Sequence, residues 1–346
     1  MRIGQNPAKM GLPAYRPKQL GIAVLSYIPS QEGYFAQSLE ILRYQVASIH
    51  RSTPDFDLLV FDNGSCAEVQ EELRQLLRKG LINTLVLSRF NLGKTGALNW
   101  IFSAMPNEII CYSDSDVFFK PGWYEHSLDL LDTFPNVGFV TAQPCLFDVL
   151  GGTGSAHHAI DLLSGVDILE IDIPPDAENE YVRGVDNGSA GIRDHLLKRW
   201  KIIRHRETGK EGIIGASHMQ FLARRNIIEK VFPLPARFGL SREDDRFFNL
   251  RVDQLGLLQL STREFYVFHM GNRLDEHTYD EIRTLKLDDI LSQPELPWNA
   301  ERLSSTENPA KRRAFRLFAL LSRWTAFRNL IRRFYNFLFE FFAQGK

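Results

Sequence analysis

The chain has 346 residues, of which 44% are hydrophobic, and its formal net charge is −1. This length and composition indicate a globular protein with one large or two modest domains, and they exclude a disordered chain. The balanced charge hides an asymmetry, because residues 311–346 contain nine Lys or Arg and one acid, Glu340. Residues 1–310 therefore contain 32 bases and 41 acids, a charge of about −9. An acidic body argues against a nucleic-acid-binding protein.

The cysteines and the apolar segments indicate the cellular compartment in which the protein is expected. Cys66, Cys111 and Cys145 have neither the paired spacing of a metal site nor the pattern of a disulfide framework, which suits a reducing compartment. Residues 1–20 are polar and lack the apolar core of a secretion signal. No stretch reaches the roughly 18 apolar residues that a spanning helix needs. We therefore expect a cytoplasmic protein.

Short apolar runs alternate with helical spacing over the first 145 residues. The predicted strands are residues 21–26, 57–62, 84–88, 109–114 and 137–143, and the helices between them are residues 34–50, 66–79 and 91–102. Strands that alternate with helices in this way predict an α/β fold with a mostly parallel central sheet and helices on both faces.

Two carboxylates follow the fourth predicted strand, one residue apart. Asp114 and Asp116 end an apolar run, and Lys120-Pro121-Gly122 then breaks the chain before a helical stretch. The carboxyl ends of strands are where open α/β sheets bind their ligands. Neighbouring carboxylates repel each other and are most easily kept charged when a cation lies between them. The alternative interpretation is a solvated turn, because Asp and Ser are common in turns.

Other polar residues lie where they would face the same edge of the sheet. The first strand ends at Ser26 and Tyr27, and the second ends at Asp62. The carboxylate of Asp62 could accept hydrogen bonds from a base or a ribose, or it could cap the next helix or form an Asx turn. Lys94 lies at a predicted helix start, where backbone N–H groups and a cation favour phosphate.

The order of these motifs resembles that of the GT-A glycosyltransferases, most closely the inverting family 2. The motifs are the strand at residues 22–26, the turn Asp62-Asn63-Gly64-Ser65, the segment 91–99 and Asp114-Ser115-Asp116, with two later motifs within residues 210–272. The resemblance implies a GT-A fold and transfer of a sugar from a nucleotide sugar, with Mn²⁺ or Mg²⁺ as cofactor.

The resemblance also implies roles for individual residues. The donor would be bound by Ser26, Tyr27, Asp62, Lys94 and Asp114, with Asp62 contacting the base. The metal ion that bridges the donor diphosphate would be held by Asp116, Asp114 and His269, with Asp116 the first choice as direct ligand.

His269 ends the apolar run at residues 264–269. A histidine at a strand end can be purely structural, although histidine is also the commonest metal ligand. GT-A enzymes often have a histidine after the base motif, so the resemblance favours His269 as a metal ligand. His218 is the second choice.

A cluster of acids, Glu243, Asp244 and Asp245, opens another predicted helix. Acids in a first helical turn also interact favourably with the helix dipole, which is the alternative explanation. The resemblance makes Asp244 the general base that deprotonates the acceptor hydroxyl. Glu243 flanks it as a second catalytic residue or as an acceptor ligand. Arg242 departs from the family pattern, which often has glycine there.

We expect five segments along the chain. They are an N-terminal extension (1–20), a nucleotide-sugar-binding half (21–145), an acceptor-binding and catalytic half (146–272), a lid or linker (273–310) and a basic amphipathic helical tail (311–346). The tail could lie on the inner face of an anionic membrane, or it could pack on the acidic body or on another subunit. Both interpretations stay open.

The expected function is therefore metal-dependent inverting glycosyl transfer from a nucleotide sugar, first of all a UDP-sugar, to a glycan or glycolipid hydroxyl. One alternative is a sugar nucleotidyltransferase, which needs a glycine-rich loop with Arg and Lys after the first strand; residues 27–31 have the sequence Tyr-Ile-Pro-Ser-Gln instead. The other is a non-catalytic protein that binds a glycan or a nucleotide.

Overall fold

The computed structural model describes residues 16–147, 163–185, 193, 196–235, 243–296, 324–326, 329–330 and 333. For residues 185 and 243–247 it describes the backbone and not the side chains. Arg16–Leu296 form one compact unit. The predicted N-terminal extension and helical tail lie almost wholly outside the described residues, so they stay predictions.

The described residues contain twelve strands and nine α-helices. The strands are β1 (Leu20–Ser26), β2 (Phe56–Asp62), β3 (Thr84–Leu87), β4 (Ile109–Asp114), β5 (Val117–Phe119), β6 (Val137–Thr141), β7 (Val166–Asp172), β8 (Arg199–His205), β9 (Glu211–Ile214), β10 (Gln220–Arg224), β11 (Leu258–Ser261) and β12 (Val267–His269). The helices are α1 (Ser38–Ser52), α2 (Ala67–Arg78), α3 (Gly93–Ala104), α4 (Trp123–Thr133), α5 (Pro175–Val185), α6 (Arg225–Val231), α7 (Glu243–Gln254), α8 (Glu276–Leu285) and α9 (Leu287–Leu291).

The central sheet of the described residues has ten strands in the order β3-β2-β1-β4-β10-β6-β11-β9-β8-β7. Strands β1 to β4 are parallel, β10 runs against both β4 and β6, and β11 is parallel to β6. The expectation of an α/β fold with a large, mostly parallel central sheet is confirmed. In this register Ser26 pairs with Asp62 and Leu25 pairs with Asp114, so the predicted strand ends lie side by side.

The alternation of side chains along β1 explains the two layers of helices. Ile22 and Val24 point into the core that contains α1, α2 and α4, whereas Ala23 points into the core that contains α3, α6 and α7. All three residues are fully buried. Because neither face of such a strand contacts solvent, its sequence is a nearly continuous run of apolar residues.

A second, two-stranded sheet lies outside the central sheet. Strand β5, which the sequence pattern does not predict, pairs antiparallel with β12, and His269 lies opposite Val117. The rings of Phe118 and Phe268 stack with their centroids 4.8 Å apart. The Met270 N–H donates to the backbone oxygen of Asp116 over 2.7 Å. This small sheet therefore holds the end of β12 beside the turn that carries Asp116.

The segment predicted as a lid or linker contains the helices α8 and α9. Ile282, Leu287 and Leu291 belong to the same buried core as α1. Whether this segment acts as a lid or as a linker stays a prediction. Among the described residues, no helix combines the length and the apolar character that crossing a membrane requires.

Phe268→Ala tests how much the small sheet contributes to stability. Phe268 is 1% exposed, so its removal is expected to lower the free energy of unfolding by about 3–5 kcal/mol, through lost burial and the cavity left behind. Urea unfolding measures the change. The matched variant Phe90→Ala, at a ring that is 68% exposed, should stay within about 0.5 kcal/mol of the wild type. Equal effects of the two substitutions would contradict the packing argument.

Candidate active site

Asp116 lies in the turn between β4 and β5, at the carboxyl edge of the sheet. Its Oδ2 atom is 3.2 Å from Nε2 of His269. Its Oδ1 atom is buried and has no hydrogen-bond partner among the described residues. Burial raises the pKa of Asp116; His269 opposes this rise and Asp114 adds to it. A half-buried carboxylate with one buried, unsatisfied oxygen is a group that a cation would stabilise.

Asp114, in contrast, already has donors on both oxygens. The Tyr112 hydroxyl donates to Oδ1 over 2.5 Å, and Nζ of Lys94 lies 3.1 Å from Oδ2. Gln45 of α1 donates to the backbone oxygen of Asp114 and to Oγ of Ser113. The end of β4 is therefore fixed from the side of α1 and from the start of α3. Of the two carboxylates, Asp116 is the one with a buried oxygen that lacks a partner.

The residues at this edge fit a divalent cation. The carboxylate of Asp116 and the imidazole of His269 supply one oxygen and one nitrogen on adjacent backbone segments. Among the described residues, no group of three or more His, Cys, Asp or Glu could hold a metal ion. Mg²⁺ is commonly bound by one or two carboxylates with water and substrate phosphates as the other ligands. An ion held in this way would depend on the phosphates of a substrate.

Asp62 ends β2 and is fully buried. Its Oδ2 accepts from the Ser65 N–H and from Nε2 of Gln70, at 3.2 Å and 3.1 Å. Its Oδ1 has no hydrogen-bond partner among the described residues. Burial raises the pKa of Asp62, although the hydrogen bonds from Ser65 and Gln70 oppose the rise. One oxygen therefore orders the turn, as the Asx-turn interpretation expects, and the other is left for a donor.

Asn63 ties two of the sequence motifs together. Its amide nitrogen donates to Oδ1 of Asn91 and to the oxygen of Gly93, and its own Oδ1 accepts from the Leu92 N–H. The loop that leads into α3 is thus fastened to the end of β2. This contact sets the place from which Lys94 reaches Asp114.

A cavity of about 210 Å³ opens beside Asp116. Tyr27, Tyr34, Phe35, Ser38 and Asn272 contribute to its lining. Tyr27 is 37% exposed and Tyr34 is 68% exposed, so both rings are accessible. Ser26 precedes the cavity residue Tyr27 in the chain. It is fully buried, and its Oγ has no partner among the described residues. Aromatic walls with a few polar groups are typical of small-molecule sites.

Helix α7 begins at Glu243, the first residue of the predicted general-base motif. The side chains of Glu243 and Asp244 lie outside the described residues, so their roles stay predictions. Phe248, four residues after Asp244 on this helix, is buried and stacks on Phe221 with the ring centroids 5.0 Å apart. It also lines a small cavity together with Lys94, Tyr112 and His218. Phe248 therefore places this part of α7 beside the cavity that Lys94 lines.

Sequence reasoning missed several residues that shape this site. Gln45 interrupts the apolar face of α1 between Leu42 and Ile49, and a polar residue on a buried stripe is the signal that could have found it. Tyr34 lies in a single 3-10 turn and Asn272 in a loop, and no motif marks either residue as part of a site. His218, the second choice as metal ligand, lines the small cavity beside Lys94 and is not paired with Asp116.

Comparison with known protein families identifies the class of protein to which the chain belongs. Residues 31–232, more than half of the chain, match the sequence model described as glycosyl transferase family 2. The chain belongs to this family; the protein is a glycosyltransferase, and its fold is of the GT-A type. Membership favours glycosyl transfer over the nucleotidyltransferase and the non-catalytic alternatives. A comparison with curated proteins gives no match.

Solved structures with a similar fold have low sequence identity to the chain. TarS 1-349 from S. aureus is 12% identical over 82% of this chain and 68% of that one, with a TM-score of 0.44. The mannosyltransferase PcManGT from Pyrobaculum calidifontis, in complex with GDP-Man and Mn²⁺, is 14% identical over 92% and 84%, with a TM-score of 0.45. GalNAc-T7 with UDP, GalNAc and Mn²⁺ is 11% identical over 74% and 44%, with a TM-score of 0.46.

The burial of Asp62 predicts a pH-dependent gain in stability for Asp62→Asn. Because the folded pKa is raised, the ionised carboxylate destabilises the fold; this effect is absent below the ordinary value of 3.8 and is complete above the raised pKa. Asp62→Asn should therefore be more stable than the wild type at pH 7.5, by on the order of 1 kcal/mol. The gain should vanish as the pH falls towards the ordinary value.

Thermal unfolding across this pH range measures the difference. The control Asp132→Asn removes an exposed carboxylate of α4 that pairs with Arg224, and it should change stability by no more than about 0.5 kcal/mol. A loss of stability for Asp62→Asn at pH 7.5 would show that the turn contacts of the carboxylate outweigh its burial.

Proposed function

We propose that this glycosyltransferase is a metal-dependent inverting enzyme that transfers a sugar from a UDP-sugar to a hydroxyl of a glycan or glycolipid. The observation that carries the proposal is the buried, unsatisfied Oδ1 of Asp116, in a carboxylate that faces Nε2 of His269 at the carboxyl edge of the sheet. Asp116 and His269 would hold Mn²⁺ or Mg²⁺ together with the donor diphosphate. When bound, such an ion offsets the negative charge that develops on the leaving diphosphate.

The free oxygen of Asp62 supports uracil as the base. Uracil presents one N–H between two carbonyl groups, whereas guanine presents an N–H and an amino group side by side. Only Oδ1 of Asp62 lacks a partner among the described residues, since Oδ2 already accepts from Ser65 and Gln70. A single acceptor matches the single donor of uracil. Because Oδ1 is buried, the base would have to move the atoms that cover it.

The other donor ligands are proposed from their positions around the cavity. Tyr27 offers an accessible ring on which a base or a ribose can stack, and Ser26 offers a hydroxyl without a described partner. Lys94 would bind a donor phosphate from the start of α3, where backbone N–H groups add to the attraction. Its present partner, Asp114, would keep the ammonium group in place for this contact.

Asp244 would act as the general base. It would remove the proton of the acceptor hydroxyl while the acceptor oxygen forms its bond to the anomeric carbon and the bond from that carbon to the diphosphate oxygen breaks on the opposite face. The electron pair of the broken bond leaves with the diphosphate. Glu243 would orient the acceptor. The position of Phe248 on the same helix, beside the cavity that Lys94 lines, supports this placement.

Asp116→Asn tests the metal site and the donor class together. Release of nucleoside diphosphate is measured for a panel of UDP-, GDP- and other nucleotide sugars, with Mn²⁺ and with chelator. The wild type should release UDP from one donor only when metal is present, and Asp116→Asn should lower this rate at least about 100-fold, since it removes the charge on the ligand. Asp132→Asn should retain the wild-type rate. Metal-independent turnover that Asp116→Asn leaves unchanged would refute the proposal.

Asp244→Asn tests whether Asp244 is the general base. Removing general-base catalysis typically lowers the rate about 10²–10⁴-fold, and kcat of transfer should fall by this factor. The Kd of UDP with Mn²⁺, measured by calorimetry, should stay as in the wild type, because the base does not bind the donor. Asp280→Asn, on the exposed face of α8, is the matched control. Full activity of Asp244→Asn would show that another residue is the general base, and Glu243 would be tested first.

A further inference from the structure

The last turn of α5 packs directly on the backbone of His269. A Cβ atom built on Gly184 would lie 2.2 Å from the oxygen and 3.0 Å from the carbonyl carbon of His269. No real Cβ contact is this short, so only glycine fits at this point of the helix without movement of β12. Helix α5 belongs to the part of the chain between β6 and β8 that no motif of the sequence interprets.

The same turn contacts the imidazole ring. Nδ1 of His269 lies 2.9 Å from the backbone oxygen of Gly184 and 3.0 Å from the backbone nitrogen of Gly271. A carbonyl oxygen can only accept, so a hydrogen bond with Gly184 requires a proton on Nδ1. The Nε2 lone pair is then free, and Nε2 is the atom that faces Asp116. In the other tautomer Gly271 would donate to Nδ1, and Nε2–H would point at Asp116.

Arg183, the preceding residue, fastens this turn to the surrounding elements. Its Nη1 lies 2.8 Å from Oδ2 of Asp275 at the start of α8, and its Nη2 lies 2.9 Å from Oε1 of Glu180. Its guanidinium group lies over the ring of Phe268, 4.6 Å from the centroid. Burial opposes the charge on Asp275, but hydrogen bonds from Thr278 and Arg183 lower its pKa to about 2. The turn is therefore attached to both α8 and β12.

We propose that the Arg183-Gly184 turn is a positioning element for the metal site. The Gly184 carbonyl selects the tautomer of His269 in which Nε2 can bind a cation, and Arg183 keeps that carbonyl in place. This inference rests on the proposed roles of His269 and Asp116 as metal ligands. It gives α5 a function, because any movement of the helix in the acceptor half would change the orientation of the metal-binding histidine.

Outer-shell partners of this kind have a known effect on metal sites. A metal-binding histidine usually donates its other N–H to a carbonyl or a carboxylate, and loss of that partner lowers metal affinity about 10–100-fold. Simple packing of α5 on β12 would instead affect stability and leave the affinity of the folded protein for metal unchanged. The two explanations thus differ in what they predict for metal binding.

Gly184→Ala is the direct test, with Mn²⁺ as the probe. The Kd of Mn²⁺ in the presence of saturating UDP is measured by calorimetry or by the electron paramagnetic resonance signal of free Mn²⁺. We expect at least a 10-fold increase for Gly184→Ala. The Kd of UDP in metal-free buffer should stay unchanged. Gly212→Ala is the matched control, because a Cβ there meets only the flexible side chain of Leu130 within 3.5 Å.

A double-mutant cycle distinguishes positioning from general disturbance. If Gly184 acts through the ring of His269, then Gly184→Ala should have no further effect on the Kd of Mn²⁺ in a His269→Ala background. Additive effects of the two substitutions would overturn the proposal. Should Gly184→Ala fail to fold, Arg183→Gln replaces it: at least a threefold weaker binding of Mn²⁺ is expected, and unchanged binding overturns the proposal.

The wild-type measurement separates this inference from the proposed function. If the wild type with UDP binds no Mn²⁺, the metal dependence fails, and the positioning role fails with it. If the wild type and Gly184→Ala bind Mn²⁺ equally well, the proposed function stands and only the role of the Arg183-Gly184 turn is refuted.

Discussion

Asp116 has a half-buried carboxylate with one fully buried oxygen, and much of the surrounding structure is arranged around it. An ionised group removed from water is unfavourable unless an opposite charge or a hydrogen-bond donor lies nearby. Here Nε2 of His269 lies 3.2 Å from Oδ2 of Asp116, because β12 pairs with β5 immediately after Asp116. The stacked rings of Phe118 and Phe268 fill the space beneath this pairing. One oxygen of the carboxylate still has no partner among the described residues, which is what makes the site suited to a cation.

The sheet places the residues proposed to bind the donor around this carboxylate. Parallel pairing of β2, β1 and β4 puts Asp62, Ser26 and Asp114 at one edge, next to each other in register. The loops that follow are not free to move independently, because Asn63 bonds to the loop before α3 and Oγ of Ser65 accepts from the Ile28 N–H. A nucleotide bound here would contact loops that are already joined to each other.

A second set of contacts joins His269 to helices α5 and α8. Arg183 lies against Phe268, bonds to Asp275 and Glu180, and is followed by the glycine whose carbonyl meets His269. Lys120, directly after β5, pairs with Glu281 of α8 and also lies over the ring of Phe268. Helices α5 and α8 thus meet at the strand that carries the histidine. A movement of either helix would therefore be transmitted to His269.

The sequence by itself determined the alternating strands of the first half, their order of motifs and the candidates Asp62, Lys94, Asp114 and Asp116. These are local features: a strand buried on both faces is a continuous apolar run, and its end is marked by the polar residues that follow. Tertiary structure alone decided which candidates meet. The three-residue strand β5 is too short for a periodic signal, and Gln45 and Gly184 act across 69 and 85 residues of sequence. No local pattern reveals the partners in contacts at such distances, because these contacts arise only when separate segments pack together.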